Sequence, residues 1–222
     1  MNTELVINSD PKSAISESIR TLRTNLQFSS VDKKIKTILI TSSVPGEGKS
    51  FIAANLACSF ANSGSKVLLV DCDIRKGRQH RIFGFHNKKG LSNLLLDNVT
   101  KVYSEYIHET VINNLSVIFK GMTPPNPSEL LNSEKNKQLI SVLKDEFDVV
   151  IFDGAPITGL PDSLIMSTLV DGVIVVTACK ETSISLLEDT KKSLQNVNAN
   201  ILGVILNRAS SKKNKYYGTY YG

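Results

Sequence analysis

A glycine-rich segment at residues 43–50 has the composition and order of a phosphate-binding loop. It reads Ser-Val-Pro-Gly-Glu-Gly-Lys-Ser, with a strand-like run before it and a helical stretch after it. Glycines let backbone N–H groups converge on phosphate oxygens, and the amino terminus of the following helix adds a favourable dipole. In such a loop Lys49 is expected at the β and γ phosphates, and the Ser50 hydroxyl at a Mg²⁺ ion. Ser43 replaces the usual first glycine of the pattern.

The nucleotide contacts are expected to come from this loop and the residue after it. The candidate set from this segment is Pro45, Gly46, Glu47, Gly48, Lys49, Ser50 and Phe51. The alternative interpretation is a glycine-rich turn with Lys49 exposed to solvent. The position of the segment, directly after a strand and at the start of a helix, favours the phosphate-binding loop.

Three aspartates stand at the ends of predicted strands. Asp71 closes one apolar run and Asp73 follows it, whereas Asp153 closes another run in the form of a Walker B sequence. A strict strand would place Cys72, between the first two, on the opposite side. Hard cations such as Mg²⁺ take oxygen ligands. These aspartates and Ser50 are therefore the candidate metal ligands of an ATP–Mg²⁺ site; the alternative is a set of surface aspartates in polar turns.

The elements that must position these residues alternate along the chain. The strand-like runs are rich in Val, Ile and Leu without clean alternation, as in parallel strands that are buried on both faces. They lie at 37–42, 66–71, 115–120, 148–153, 172–177 and 201–207, with helical stretches at 50–63, 127–146, 161–169 and 183–196. This pattern predicts an α/β fold: a doubly wound, mostly parallel sheet with helices on both faces, of the P-loop NTPase type, with ligands at the carboxyl ends of the strands.

Two helix starts are also predicted. A helix over 13–28 is indicated by Ile15, Ile19, Leu22 and Leu26, which share one helical face. Asn126-Pro127 is typical of a helix start, with asparagine as the cap and proline in the first turn.

The composition excludes several classes of protein. The chain has 222 residues, of which 41% are hydrophobic and 21% charged, and its longest apolar stretches are far shorter than a membrane-spanning helix needs. Its first residues lack the features of a signal peptide, and its three cysteines are scattered, which suits a reducing compartment. Membrane-spanning, collagen-like, disulfide-framework and wholly disordered proteins are excluded, and a cytoplasmic enzyme or switch is expected.

The charge and the tyrosines concentrate at the end of the chain. The net charge is +5, of which +4 follows Asn207, so a nucleic-acid-binding body is not indicated. Residues 209–222 contain no aliphatic side chain larger than alanine and are expected to form a flexible tail after a domain at 1–208. Four of the six tyrosines lie in this tail: Tyr216, Tyr217, Tyr220 and Tyr221. The alternative for this basic, aromatic tail is stacking on single-stranded RNA or binding to anionic lipid.

Four segments together resemble the bacterial tyrosine kinases. They are Leu68-Leu69-Val70-Asp71-Cys72-Asp73-Ile74-Arg75, Gly46-Glu47-Gly48-Lys49-Ser50, Asp153-Gly154-Ala155-Pro156 and Pro125-Asn126-Pro127-Ser128-Glu129-Leu130-Leu131. The resemblance covers essentially the whole chain. Its nearest form is the separate cytoplasmic kinase subunit that Gram-positive bacteria use in capsular or exopolysaccharide synthesis.

The resemblance implies an ATP- and Mg²⁺-dependent kinase that phosphorylates its own tail tyrosines, chiefly between subunits. In that family role, Asp73 and Asp153 hold the shell of the ion, and Asp71 is both an ion partner and the candidate base. Asn207 and Arg208 resemble the adenine-side residues of related ATPases. A transmembrane modulator is implied as activator, recruiting the kinase to the inner face of the membrane, and proteins of polysaccharide synthesis are implied as substrates.

A ring-forming helix is also implied. Glu17, Arg20 and Arg23 follow each other at intervals of three residues, as in the family's oligomerisation helix. By itself this stripe is typical of a solvated helix face with one ion pair, and it is the resemblance that favours the ring. From Arg75 to Lys89 the chain has six basic residues and no acid, which leaves a solvated face and a functional one both open.

Two other functions share the same loop. One is a partition or septum-site ATPase, whose signature lysine would stand at Val44. The other is a nucleotide-binding scaffold without enzymatic activity.

Overall fold

The computed structural model describes residues 4–28, 35–97 and 102–209. Apart from Ala209, the predicted tail lies outside the described residues, and so do Tyr216, Tyr217, Tyr220 and Tyr221. The predictions for the tail and its tyrosines therefore stay predictions.

The described residues form a seven-stranded sheet. The strands are β1 (Thr37–Ser42), β2 (Val67–Asp71), β3 (His108–Glu109), β4 (Leu115–Ile118), β5 (Val149–Asp153), β6 (Gly172–Ala178) and β7 (Ile201–Asn207). Their order is β3-β4-β2-β5-β1-β6-β7, and every pairing is parallel except β3 with β4. The prediction of a mostly parallel sheet is confirmed.

Helices cover both faces of this sheet. They are α1 (Val6–Ser9), α2 (Ala14–Phe28), α3 (Lys49–Asn62), α4 (Gln79–Phe83), α5 (Leu91–Leu96), α6 (Pro127–Leu131), α7 (Glu134–Glu146), α8 (Asp162–Ser167) and α9 (Ile184–Asn196), with a 3₁₀ turn at Tyr103–Tyr106. In β1, Ile38 and Ile40 pack into the core formed with α2 and α3, whereas Leu39 packs into the opposite core with α5, α7 and α8. The central strands β1, β2, β5 and β6 are rich in apolar residues because both of their faces are buried, whereas the edge strand β7 is only partly buried. Among the described residues, no helix has both the length and the apolar character to cross a membrane.

The strand order brings the predicted chemistry to one edge. β5 lies between β2 and β1, and Asp153 pairs with Asp71 on one side and with Ile40 on the other. Because these strands are parallel, their carboxyl ends meet, and the loop after β1 lies beside both aspartates.

One predicted helix is two helices in the structure. The stretch 127–146 divides after α6 because the Ser133 hydroxyl accepts a hydrogen bond from the backbone N–H of Asn136 and starts α7. Pro127 does occupy the first turn of α6, but the Asn126 side chain donates to the Glu129 carboxylate (3.1 Å) and makes no backbone cap. Asn126 therefore occupies the predicted cap position, although its side chain makes no capping hydrogen bond.

Candidate active site

The loop between β1 and α3 is hydrogen-bonded to Asn207 and Arg208, at the end of β7. Gly48 has a φ of +97°, and a Cβ at this position would lie 2.1 Å from the Asn207 amide nitrogen. That nitrogen donates to the carbonyl of Glu47 (2.8 Å), and the Arg208 guanidinium donates to the carbonyl of Gly46 (2.7 Å). The two residues predicted on the adenine side therefore clasp the loop backbone. Only glycine fits at position 48, for reasons of both space and backbone angle.

Lys49 faces the acidic end of β2. Its Nζ lies 3.1 Å from Oδ2 of Asp73, whose other oxygen accepts from the backbone N–H of Lys76 (2.9 Å). Burial, the largest influence, lowers the pKa of Lys49, but the carboxylates of Asp153 and Asp73 outweigh it and raise the pKa above its usual value. The lysine is therefore a fixed positive charge.

Asp71 and Asp153 lie side by side and are fully buried. Burial, followed by the charge of Asp153, raises the pKa of Asp71 well above its ordinary value, and burial likewise raises the pKa of Asp153. In each carboxylate the Oδ1 oxygen is buried and has no hydrogen-bond partner. A Cβ on Gly77 would lie 2.1 Å from Oδ1 of Asp71, so a side chain at position 77 would fill this space. Lys49 acts against the rise in the pKa of both carboxyl groups, but it does not outweigh the effect of burial.

These carboxylates suit a hard divalent cation. Buried oxygens without donors, together with the Ser50 side chain that hydrogen-bonds to Asp153, are the kind of donor set that Mg²⁺ takes. Within the described ranges, no three His, Cys, Asp or Glu side chains form a metal cage of their own. Mg²⁺ keeps several waters and takes phosphate oxygens, so a partial set is what it requires.

The backbone carbonyl of Asp153 fixes the turn of the chain that follows Asp71. It accepts from the backbone N–H groups of Cys72 (3.0 Å) and Asp73 (2.9 Å) and from the Cys72 thiol (3.2 Å). β2 ends at Asp71, and these bonds turn the chain across the end of β5, so strict strand alternation does not apply. Burial raises the pKa of the Cys72 thiol well above its ordinary value, which keeps the thiol neutral.

The side chain of Glu47 makes its contacts within the protein, and its predicted part in nucleotide binding stays a prediction. Its side chain is only 2% exposed, and its carboxylate accepts from the backbone N–H groups of Val44 (2.8 Å) and Ala178 (3.2 Å) and from the Thr182 hydroxyl. The side chain therefore braces the loop against the end of β6. The backbone of Glu47 is the part left to make the predicted contact with nucleotide.

Ser43 fits where the pattern has glycine. It is not among the described residues with a positive φ, and its buried hydroxyl accepts from the Thr190 hydroxyl of α9 (2.9 Å). A residue with a side chain is therefore tolerated, and this contact ties the loop to the opposite face of the sheet.

Two further residues of the site come from the basic segment 75–89. Arg75 binds the buried carboxylate of Asp162 through two nitrogens (2.7 and 3.2 Å) and also contacts Ser128, which connects the end of β2 with α6 and α8. Gln79 donates to groups on three other elements of the site. The sequence carried no sign of Gln79, because its contacts are to residues distant in the chain.

A cavity of about 790 Å³ opens beside the loop. It is lined by Lys49, Ser50 and Phe51 on one side and by apolar residues of α2, including Ile15 and Leu22, on the other. The three aspartates do not line it. The cavity can therefore accept a molecule with a charged end and an apolar end, with the carboxylates behind the charged end.

The predicted oligomerisation residues make contacts within the chain. Glu17 is exposed and pairs with Arg20, which also donates to the carbonyl of Pro11 (2.6 Å). Arg23 donates to the carbonyl of Ser59 in α3 (2.8 Å), and its Nε is buried without a partner. Glu17 and Arg20 are thus available at the surface, whereas Arg23 holds α2 against α3.

Comparison with known proteins agrees with this site. Residues 35–205 match the AAA domain family. The chain is 39% identical to tyrosine-protein kinase YwqD of Bacillus subtilis over 222 residues, 100% of this chain and 92% of the relative. It is 38% identical to the putative tyrosine-protein kinase CapB of Staphylococcus aureus, over 98% of this chain and 95% of the relative. The chain belongs to the bacterial tyrosine-protein kinase family.

Solved structures support this family assignment. The crystal structure of the chimerical protein CapA2B2 superposes with a TM-score of 0.88 at 39% identity, covering 93% of this chain and 90% of that one. The cell division ATPase MinD of Pyrococcus furiosus has a TM-score of 0.66 at 23% identity, over 80% of this chain and 74% of that one. The kinase family therefore shares its fold with septum-site ATPases, and the likeness to MinD extends to the fold alone.

Proposed function

We propose that the chain is an ATP- and Mg²⁺-dependent protein-tyrosine kinase that phosphorylates the tyrosines of its own tail and regulates capsular or exopolysaccharide synthesis. The observation that carries the proposal is the convergence of Lys49, Asp71, Asp73 and Asp153 behind a phosphate-binding loop, in a chain whose full-length relatives are tyrosine kinases. The relatives' names supply the acceptor class, and the geometry supplies the phosphoryl-transfer site.

The basic and acidic side chains of the site are proposed to have different roles. Lys49 would neutralise phosphate charge, and Ser50, Asp71, Asp73 and Asp153 would hold Mg²⁺ directly or through water. Bound Mg²⁺-ATP supplies the phosphoryl group and the cation that disperses the developing charge. Phosphoryl transfer has a loose transition state, so positioning and charge neutralisation provide most of the catalysis.

Asp71 remains the proposed base for the incoming tyrosine. Its raised pKa, caused first by burial and then by Asp153, makes it a better proton acceptor than an exposed aspartate. Because it is fully buried behind Gly77, the segment between Asp73 and Gln79 must move before a tyrosine hydroxyl can reach it.

The acceptor is proposed to be the tail of a neighbouring subunit. Tyr216, Tyr217, Tyr220 and Tyr221 lie in a segment that carries +4, and each phosphate adds about −1.5 to −2 charges, so full phosphorylation reverses the sign of the tail. We propose assembly into a ring through Glu17, Arg20 and Arg23, and recruitment to the inner face of the membrane by a transmembrane modulator. Proteins of polysaccharide synthesis are the proposed external substrates.

Incubation of the purified protein with Mg²⁺-ATP, with and without a modulator peptide, tests the kinase proposal. Mass spectrometry is expected to find phosphate on the tail tyrosines of the wild type and none on Lys49→Met, because the loop then lacks its fixed positive charge. Lys192→Met, at an exposed lysine of α9, is the matched control and is expected to be labelled normally. A nucleotide-binding scaffold would bind ATP and leave the tail unmodified in every sample, which would contradict the proposal.

A mixing experiment tests transfer between subunits. Lys49→Met with an intact tail is combined with an active variant whose four tail tyrosines are phenylalanine. Phosphate on the inactive partner's tail is expected; an unlabelled partner would restrict the reaction to the chain's own tail. Size-exclusion chromatography of Glu17→Ala/Arg20→Ala tests the ring, and an undisturbed oligomer would count against that helix.

A further inference from the structure

Gln79 hydrogen-bonds to three residues predicted for the site, Asp71, Asp153 and Ser50. It is the first residue of α4 and is completely buried. Its backbone N–H donates to Oδ2 of Asp71 (3.0 Å), and its side-chain Nε2 donates to Oδ2 of Asp153 (2.8 Å) and to the carbonyl of Ser50 (3.0 Å). One residue thus joins the ends of β2 and β5 to the first turn of α3.

These bonds divide the oxygens of both carboxylates in the same way. In Asp71 and in Asp153, Oδ2 is held by Gln79, and Oδ1 is buried with no partner. A carboxylate with one oxygen fixed cannot rotate freely about its terminal bond. The two unpartnered oxygens are therefore held in defined directions.

The contacts also determine which way the amide faces. Ser50 and Asp153 both present acceptor oxygens, so Nε2 must face them and Oε1 must face away. Oε1 is then buried and unpartnered. A buried acceptor without a donor costs free energy, typically about 1–3 kcal/mol. An apolar side chain of the same volume would avoid that cost, but it would leave Oδ2 of Asp153 and the carbonyl of Ser50 without the amide donor. The amide of Gln79 therefore satisfies groups of the site at the expense of its own oxygen.

We propose that Gln79 is a positioning residue of the Mg²⁺ site, holding the carboxylates of Asp71 and Asp153 in the orientation that the ion requires. The inference rests on the proposed Mg²⁺-dependent nucleotide binding. Residues that hydrogen-bond to metal ligands orient them, and removing such a contact typically lowers metal affinity about 10- to 100-fold. Gln79 reaches two candidate ligands and the backbone of a third.

Titration of Mg²⁺ into the full chain with fluorescently labelled ADP tests this role. In the wild type, Mg²⁺ is expected to tighten ADP binding. Gln79→Met keeps the volume but lacks the amide, and Gln79→Asn has an amide too short to reach both acceptors. In both variants Asp71 keeps its bond to the backbone N–H of residue 79, so the effect measures the lost side-chain contact to Asp153. The midpoint for Mg²⁺ is expected to rise about 10- to 100-fold. ADP affinity in EDTA is expected to stay unchanged. Gln138→Met, at an exposed position of α7, is the matched control.

The outcomes separate the possible failures. A folded Gln79→Met with the wild-type Mg²⁺ midpoint overturns the inference, and so does an equal loss of ADP affinity with and without Mg²⁺, which would assign Gln79 to loop packing. A wild type whose ADP binding ignores Mg²⁺ overturns the proposed function itself. If neither variant folds, NMR of the wild type decides: the side-chain amide protons of Gln79 are expected to shift when Mg²⁺ joins bound ADP, and unmoved signals overturn the role.

Discussion

Replacing Glu47 with alanine distinguishes two roles for its carboxylate: stabilising the phosphate-binding loop, or contacting the nucleotide. The carboxylate of Glu47 is almost fully buried and accepts hydrogen bonds from Val44, Ala178 and Thr182. If its main role were to contact the nucleotide, the protein without nucleotide would lose little stability in Glu47→Ala. If it braces the loop, the free energy of unfolding must fall even when no nucleotide is bound.

The contacts set the size of this loss. Glu47→Ala leaves the backbone N–H groups of Val44 and Ala178 without their acceptor, and an unsatisfied buried donor costs about 1–3 kcal/mol. The 3.2 Å bond to Ala178 is the weaker of the two, and the Thr182 hydroxyl is only partly buried, so we expect a total of about 3 kcal/mol. For a domain of this size that loss lowers Tm by about 6–12 °C.

Urea unfolding and thermal melting without nucleotide measure the effect. Glu47→Gln is expected to fall between the wild type and Glu47→Ala, because its single amide oxygen can accept at only one end. Glu188→Ala, at an exposed position of α9, is the matched control. A Glu47→Ala protein within about 0.5 kcal/mol of the wild type would refute the brace, since changes of that size are typical of ordinary surface positions.

Two further substitutions test other contacts. Gly77→Ala places a Cβ against Oδ1 of Asp71 and is expected to lower Mg²⁺-dependent tail labelling at least tenfold. Gly203→Ala, where a Cβ meets open space, is the matched control. Equal labelling of the two variants would contradict the packing around Asp71. For Asp171, burial raises the pKa, but hydrogen bonds from Lys144 and backbone amides outweigh it and lower the pKa below its usual value. The stabilisation from Asp171 is therefore present above the unfolded pKa of about 4 and is lost as the pH falls through the folded pKa. In urea unfolding, Asp171→Asn is expected to be about 1 kcal/mol less stable than the wild type at pH 7, with a smaller difference at pH 3. A difference in stability that does not change with pH would refute this explanation.

The sheet could be predicted from the sequence because its signal is local. β1 and β7 have the predicted bounds, and each contains an apolar run that ends in polar residues, Thr41-Ser42 in β1 and Asn207 in β7. The stretch 127–146 was wrong as a single helix because one hydroxyl, that of Ser133, starts a new helix inside a continuous helical pattern. The short helices α1, α4 and α5 were not predicted, since four to six residues are too few to show a helical period.

The charged residues of the candidate site could be predicted from the sequence, but the residues that position them could not. Lys49 and the three aspartates are recognisable by their types and by their places at strand ends, and the fold brings them together. Gln79 could not be found in this way, because its role depends on contacts to residues 29 and 74 positions away. For a similar reason the sequence could place Glu47 in the loop but could not show its side chain turned toward β6.

Asn207 and Arg208 hydrogen-bond to the backbone of the phosphate-binding loop, so the chain that leads into the tail starts from a fixed position beside the nucleotide site. Eight residues lead from Arg208 to Tyr216 and thirteen to Tyr221, which correspond to reaches of at most about 29 and 47 Å for a fully extended chain. Any arrangement of subunits that delivers Tyr216 to a neighbour must therefore bring the two catalytic centres closer together than one that delivers only Tyr221. For the proposed transfer between subunits, the position of each labelled tyrosine therefore sets an upper limit on the distance between neighbouring active sites.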